Sequence, residues 1–303
     1  MNILVTGAWR QAEENLNDII NMGNDVLFMK NEKDNLPCDP ALVEGIICSS
    51  VFFMHHVIED FTNLIYVQVT SAGMDTLPLD YIEAHNIELF NAKGVYSIPM
   101  AEYVLGSVLS IYKGTYAFYE NQKKHNWSKN YGLAELNDKR VCIIGCGDVG
   151  EECAKRFKAF GCNVVGINRT VFRNENFDEI KSLSCLNDEI AKADITVICI
   201  ALTKDTENLL NHNNLNYIKN NSIFINISRG RVVNTGELVK IIKDKRIKVV
   251  LDVFENEPLD SNSVLWGLDG VCITPHISFV GDHNNIRLKN VIITNLKNYL
   301  NLQ

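Results

Sequence analysis

The run Gly145-Cys146-Gly147-Asp148-Val149-Gly150 limits what this chain can fold into more than any other stretch. Three glycines at this spacing make a tight turn, and the flanking residues decide its meaning. Before them stands the β-rich run RVCIIG. After them EECAKRFKAFG has helical spacing, and CNVVGIN returns as a second strand. Strand, glycine turn, helix and strand within about thirty residues form a βαβ unit, the context in which this motif binds a dinucleotide. Gly145 permits the turn, Gly147 lets the backbone approach a pyrophosphate, and Gly150 lets helix and strand pack closely. Asp148 and Val149 open the helix, whose free N–H groups and dipole favour an anion.

The same alternation runs through the rest of the chain. NILVTG, DVLFM, EGIICSS, LIYVQVT and IELFNA read as five short strands separated by segments long enough for crossover helices. A second series follows Val141: RVCIIG, NVVGIN, ITVICIAL, SIFINIS, KVVLDV and GVCITP. Between the two series the sequence predicts one long amphipathic helix from Ile98 to about Gln122, with Ser97 as its cap and Pro99 in its first turn. The expected fold is α/β: two doubly wound parallel-sheet domains joined by helices, with a cleft between them. The second series forms the dinucleotide-binding domain.

The end of the second strand of the βαβ unit selects among nicotinamide dinucleotides. A carboxylate there accepts hydrogen bonds from an adenosine ribose and repels a 2′-phosphate. Eighteen residues past Gly150 stands Asn168-Arg169-Thr170, with Arg173 close behind. Asparagine removes the repulsion, arginine offers a charged fork to a phosphate, and threonine offers a hydroxyl donor. The sequence therefore points to NADP, with NAD the lesser alternative.

The net charge of −8 argues against nucleic-acid binding and against attraction to anionic membranes. No apolar run reaches the length of a membrane helix, and the N-terminus does not read as a secretory signal, so the expected location is cytoplasmic. The nine cysteines include no Cys-x-x-Cys pair. Those in apolar runs (Cys142, Cys199, Cys272) read as small buried hydrophobes. The adjacent His55 and His56 point in different directions and are assigned no role, and no metal is expected.

Three residues follow successive strands of the second series: Arg229 in INISRGRVVNTGELV, Glu257 in LDVFENEPLD and His276 in ITPHIS. In a parallel sheet they reach the same edge, where ligands bind. A guanidinium suits a carboxylate, an imidazole can protonate a carbonyl oxygen as hydride arrives, and a carboxylate beside it favours the imidazolium. That combination suits reduction of a 2-oxo acid.

These three blocks, with the glycine turn, resemble the D-isomer-specific 2-hydroxyacid dehydrogenases; LTKDTENLLN and VTSAGMDTLPLD resemble further blocks of the family. The resemblance implies Arg229, Glu257 and His276 as catalytic residues. It also implies a substrate domain of flavodoxin-like fold spanning 1–97 and 277–303, and a cofactor domain spanning 98–276. The substrate carboxylate would meet Arg229 and backbone amides at Ala72 and Gly73, with Trp9 and Tyr96 as candidate pocket residues. Ala201, where the family usually has proline, and Asp252 join the expected cofactor contacts. Gly281 stands where the family often has a hydroxyl-bearing residue. The resemblance further implies a homodimer through the cofactor domain. The Asn-Arg-Thr tip resembles the NADP-preferring branch that contains glyoxylate and hydroxypyruvate reductases. Two alternatives stand beside it. One is an NAD-linked phosphoglycerate dehydrogenase, for which Arg10 and Lys93 are the candidate phosphate ligands and a regulatory domain has no room. The other is a non-catalytic nucleotide-sensing protein.

Overall fold

In a computed structural model, which describes residues 1–302, the chain divides into two compact units: Met1–Tyr96 with Gly281–Gln303, and Ser97–Val280. The sequence places these seams after residues 97 and 276.

The first unit is built on five parallel strands: β1 (Asn2–Thr6), β2 (Asp25–Met29), β3 (Gly45–Cys48), β4 (Tyr66–Val69) and β5 (Glu88–Phe90), in the order β2-β1-β3-β4-β5. Each matches one of the five expected runs. Alternation along β1 sends Ile3 and Val5 to one face and Leu4 to the other. Ile3 and Val5 pack with α1 (Ala12–Ile20), while Leu4 shares the opposite core with Ile82 of α2 (Leu79–Ala84).

The second unit opens with α3 (Ser97–Tyr112) and α4 (Thr115–Lys123). The single helix expected from Ile98 to Gln122 is thus two, because Gly114 adopts φ +61° and ends the first run. Then come β6 (Arg140–Ile144), α5 (Asp148–Ala159), β7 (Asn163–Asn168), β8 (Glu179–Ser182), α6 (Leu186–Lys192), β9 (Ile195–Ile198), α7 (His212–Leu215), β10 (Ile223–Asn226), α8 (Thr235–Lys245), β11 (Lys248–Leu251) and β12 (Val271–Ile273). The sheet is parallel, in the order β12-β11-β10-β9-β6-β7-β8. Helices cover both faces: Val141 and Ile143 pack toward α3 and α5, Cys142 and Ile144 toward α6 and α8. That double burial is why these strands read as unbroken apolar runs. Strand β8, EIKS, has no such run and escaped the sequence pattern; it is an edge strand. The other edge corrects the reading of Cys272, which lies on β12 and is exposed. Cys142 is buried as expected, and all nine cysteines are unpaired.

The chain returns to the first unit through α9 (Asn284–Tyr299), whose Leu288, Ile292 and Leu296 join Ile3, Val5 and Trp9 in one core. Each such buried aliphatic side chain contributes roughly 2 kcal/mol. Among the described residues, no helix is long and apolar enough to cross a membrane.

Candidate active site

Strands β10, β11 and β12 are consecutive parallel neighbours, so the loops after them emerge at one edge. The loop after β10 is shaped by Asn226, 1% exposed. Its Oδ1 accepts from the Ser228 amide (3.1 Å) and hydroxyl (3.0 Å), and its Nδ2 donates to the Arg229 carbonyl (3.0 Å). These bonds fix the backbone from which Arg229 projects. Gly230 follows because nothing larger fits: a Cβ there would lie 1.8 Å from the Phe254 carbonyl carbon. The Arg229 turn therefore rests directly on the segment after β11.

That segment carries Glu257. Its Oε1 accepts from the Phe254 amide (2.9 Å), and its Oε2 lies 2.8 Å from Nδ1 of His276. A carboxylate only accepts hydrogen bonds, so Nδ1 carries the proton and Nε2 is the nitrogen free to exchange one. The sheet edge thus pairs Glu257 with His276 and sets the Arg229 turn against the segment that carries Glu257.

His276 adopts φ +51°, an uncommon conformation for a residue with a side chain. Its own amide donates to the carbonyl of Asp252 (2.8 Å). The Asp252 carboxylate, fully buried, accepts from the Ile277 amide (2.8 Å), the Ser278 amide (2.9 Å) and the Thr274 hydroxyl (2.6 Å). Thr274 spends its proton on that carboxylate, so the Tyr103 hydroxyl, 2.6 Å away, must donate to Thr274. Burial pushes the Tyr103 hydroxyl up from its ordinary range, so it stays protonated and able to donate. Asp252, expected among the cofactor contacts, anchors the histidine turn through these bonds. Asn226, Thr274 and Tyr103 carried no motif and were not anticipated.

The glycine turn lies between β6 and α5. Gly145 has φ +97°, and a Cβ on it would come within 2.6 Å of the Ile200 amide nitrogen; one on Gly150 would lie 2.0 Å from the Gly145 carbonyl oxygen. Beside them a Cβ on exposed Gly147 would meet nothing within 4 Å. This is open space directly before a twelve-residue helix whose first amides have no intrahelical partner. Asp148 and Val149 are half-buried in its first turn. The cradle fits a dinucleotide pyrophosphate.

A family model for the "D-isomer specific 2-hydroxyacid dehydrogenase, NAD binding domain" matches residues 105–278. A glyoxylate/hydroxypyruvate reductase of Arabidopsis thaliana is 30% identical over 75% of this chain and 71% of its own. A glyoxylate reductase of Thermofilum pendens is 30% identical over 73% and 68%. The crystal structure of a D-isomer-specific 2-hydroxyacid dehydrogenase family protein from Aeromonas salmonicida superposes with a TM-score of 0.87 at 26% identity, over 99% of this chain and 95% of that one. The chain belongs to the D-isomer-specific 2-hydroxyacid dehydrogenases. It is an NAD(P)-dependent oxidoreductase that reduces a 2-oxo acid to a D-2-hydroxy acid.

In this dehydrogenase β7 ends at Asn168 as the sequence predicts. The Asn168 side chain is turned inward: Oδ1 accepts from the Cys146 amide (3.4 Å), and Nδ2 donates to the Thr170 carbonyl (2.9 Å). It clamps the glycine turn to the strand tip, while Arg169, Thr170 and Arg173 stand exposed. Burial pushes the Cys146 thiol up to about 12, so within the motif it is an inert filler. Ala201 is exposed just past β9, its carbonyl held by the Thr206 hydroxyl (2.7 Å).

In the first unit the loop after β4 has its carbonyls tied down: Ala72 O accepts from Asn91 Nδ2 (2.9 Å) and Gly73 O from the Ser71 hydroxyl (2.8 Å). The amides of Ala72 and Gly73 donate to nothing among the described residues. The Tyr96 hydroxyl braces the start of this loop through the Thr70 carbonyl (2.5 Å). Trp9, a candidate pocket residue by sequence, is 1% exposed in the core beneath α9.

Proposed function

We propose that this dehydrogenase is an NADPH-dependent reductase of small 2-oxo acids of the glyoxylate and hydroxypyruvate type. The observation that carries the reading is the 2.8 Å pair of His276 and Glu257 beside the turn of Arg229. The Arabidopsis and Thermofilum relatives are named as reductases of this kind.

The roles follow from the chemistry of each group. Arg229 pairs with the carboxylate and carbonyl oxygen of the substrate through its planar fork. His276 delivers a proton from Nε2 to the carbonyl oxygen as negative charge develops there, and Glu257 stabilises the imidazolium before the transfer. Asp252 keeps the ring on its axis. The free amides of Ala72 and Gly73 receive the substrate carboxylate. Gly145, Gly147, Asp148, Val149 and Gly150 hold the pyrophosphate, Ala201 borders the dinucleotide, and Arg169 and Thr170 take the 2′-phosphate beside the Asn168 clamp. Bound NADPH supplies the hydride.

Pairing of two copies through the second unit fits its exposed aromatic residues: Tyr116 and Tyr119 on α4, and Trp127 and Tyr131 after it.

The decisive experiment follows absorbance of the reduced nicotinamide with NADPH and NADH in parallel, offering glyoxylate, hydroxypyruvate, pyruvate and an aromatic 2-oxo acid. Faster NADPH oxidation with a small 2-oxo acid is the expected result. A preference for NADH overturns the cofactor assignment alone, and no oxidation of either overturns the reductase reading.

A further inference from the structure

We infer that Glu32 is a charge filter at the carboxyl edge of the first unit, restricting the enzyme to 2-oxo acids without a second anionic group. The inference rests on the proposed reductase activity, and on Ala72 and Gly73 as the substrate-carboxylate site.

Glu32 lies just past β2, and its carboxylate reaches across the ends of two further strands. Oε1 accepts from the Thr6 hydroxyl (2.7 Å), at the end of β1, and from the Ser49 amide (2.7 Å), just past β3. Oε2 accepts from the Ser49 hydroxyl. Three neutral donors hold the group, and no lysine, arginine or histidine lies within ion-pair distance of it among the described residues. His56 bonds the Glu32 carbonyl (2.7 Å), not its carboxylate. Lys30 and Lys33, its neighbours in sequence, are exposed and unpaired with it. These donors are neutral and leave the charge of the carboxylate uncancelled. A fixed negative charge therefore stands at the edge where this sheet presents its loops.

The carboxylate is tied to the substrate loop through Ser49 and Ser50. The Thr70 amide donates to the Cys48 carbonyl (2.8 Å), and the Thr76 hydroxyl to the Ser50 carbonyl (2.7 Å), so the loop bearing Ala72 and Gly73 is stitched at both ends to the segment Glu32 grips. Neighbouring strands lie about 4.8 Å apart, so the segment Glu32 grips and the loop bearing Ala72 and Gly73 leave adjacent strand ends. Two like charges about 10 Å apart near a protein surface disfavour each other by about tenfold. The first carboxylate of a 2-oxo acid is offset by the free amides. A phosphate or sulfonate further along the molecule has no such amides, and Arg10, the arginine of the β1 loop, is exposed, so solvent screens its charge more than that of half-buried Glu32.

The test compares kcat/KM for hydroxypyruvate with that for 3-phosphohydroxypyruvate and 3-sulfopyruvate, in the wild-type enzyme, Glu32→Gln and Ser49→Ala. The wild type is expected to favour the uncharged substituent by tenfold or more, and added salt should narrow the gap. Glu32→Gln should narrow it about tenfold, mostly through KM of the anionic substrates. Ser49→Ala, which keeps the charge, should leave it in place. A wild type that prefers the phosphorylated substrate overturns the inference, as does a ratio that neither Glu32→Gln nor salt moves. The salt series needs no variant, so it decides the question even if Glu32→Gln misfolds. If no 2-oxo acid is turned over, the reductase reading fails and this inference falls with it.

Discussion

Strands β1 and β6 occupy equivalent places. Each is flanked by the strand that follows it and by a later one, β2 and β3 in the first unit, β7 and β9 in the second. Both are switch points, where a crevice opens at the carboxyl ends of the strands. The two crevices are finished in opposite ways. Past β6 the chain turns through Gly145 and Gly147 into a helix, leaving amides and empty space. Past β1 it runs through Trp9, which fills the core, and α1 starts only at Ala12. At the tip of the second strand, Asn168 bonds the glycine turn in one unit, whereas a carboxylate, Glu32, bonds the first and third strand ends in the other. One topology thus yields an edge that attracts anions and an edge that carries a fixed negative charge. Topology marks where a ligand can bind; the residues filling the crevice decide which.

The largest effect expected concerns the chemistry proposed for the second unit. His276→Asn should lower kcat by about 10²- to 10⁴-fold, while nucleotide affinity, measured by fluorescence titration, stays unchanged. Parallel loss of binding would mean that the histidine turn also builds the cofactor site.

Close packing at the two switch points offers a matched pair. A Cβ at Gly150 would lie 2.0 Å from the Gly145 carbonyl oxygen, and one at Gly7 2.1 Å from the Lys30 carbonyl oxygen. Overpacking of this kind costs about 1–3 kcal/mol. Gly150→Ala should weaken nucleotide binding at least about tenfold, whereas Gly7→Ala should lower Tm and leave nucleotide Kd alone. Equal effects of the two on Kd would contradict the division of labour.

The strand tip gives a third and finer test. Asn168→Asp places a carboxylate where NADPH brings its 2′-phosphate, and should weaken NADPH about tenfold while sparing NADH. The variant also tests the clamp, since aspartate keeps the oxygen that accepts from Cys146 but loses the donor to Thr170.

What the sequence disclosed depended on periodicity and on loop motifs. Every fully apolar strand was legible, because burial on both faces leaves an unmistakable run. The polar edge strand β8 was not, and Cys272 was misjudged because β12 has only one neighbour. The helix break at Gly114 was hidden by apolar residues on either side. In the site, Arg229, Glu257 and His276 follow strands and could be found from their positions. Tyr103 and Thr274 support the histidine from a helix and a strand end 171 residues apart, a relation no local pattern carries. Asp252 was expected among the cofactor contacts, and only its burial reveals that the carboxylate also holds the backbone of the histidine turn. Glu32 sits in a polar loop whose composition resembles any surface turn.

The smallest effect expected comes from a second carboxylate, one that is compensated where Glu32 is not. Glu189 is 1% exposed, with Arg140 Nη2 at 2.5 Å and Lys181 Nζ at 2.9 Å. Burial pushes its carboxyl up, but the hydrogen bonds from Lys181 and Arg140 outweigh that and hold it below the ordinary glutamate range. A depressed folded-state pKa adds stability above the unfolded value of about 4.3, and that stability is lost as pH falls through the folded value. Wild-type Tm should therefore drop by a few degrees more between about pH 7 and about pH 3 than Tm of Glu189→Gln, which cannot take up that proton. Equal acid sensitivity in the two would mean that the pair's attraction does no more than offset the burial of its charges. The ion cluster would then serve to fix the β6–α6–β8 corner of the cofactor unit without adding to its stability.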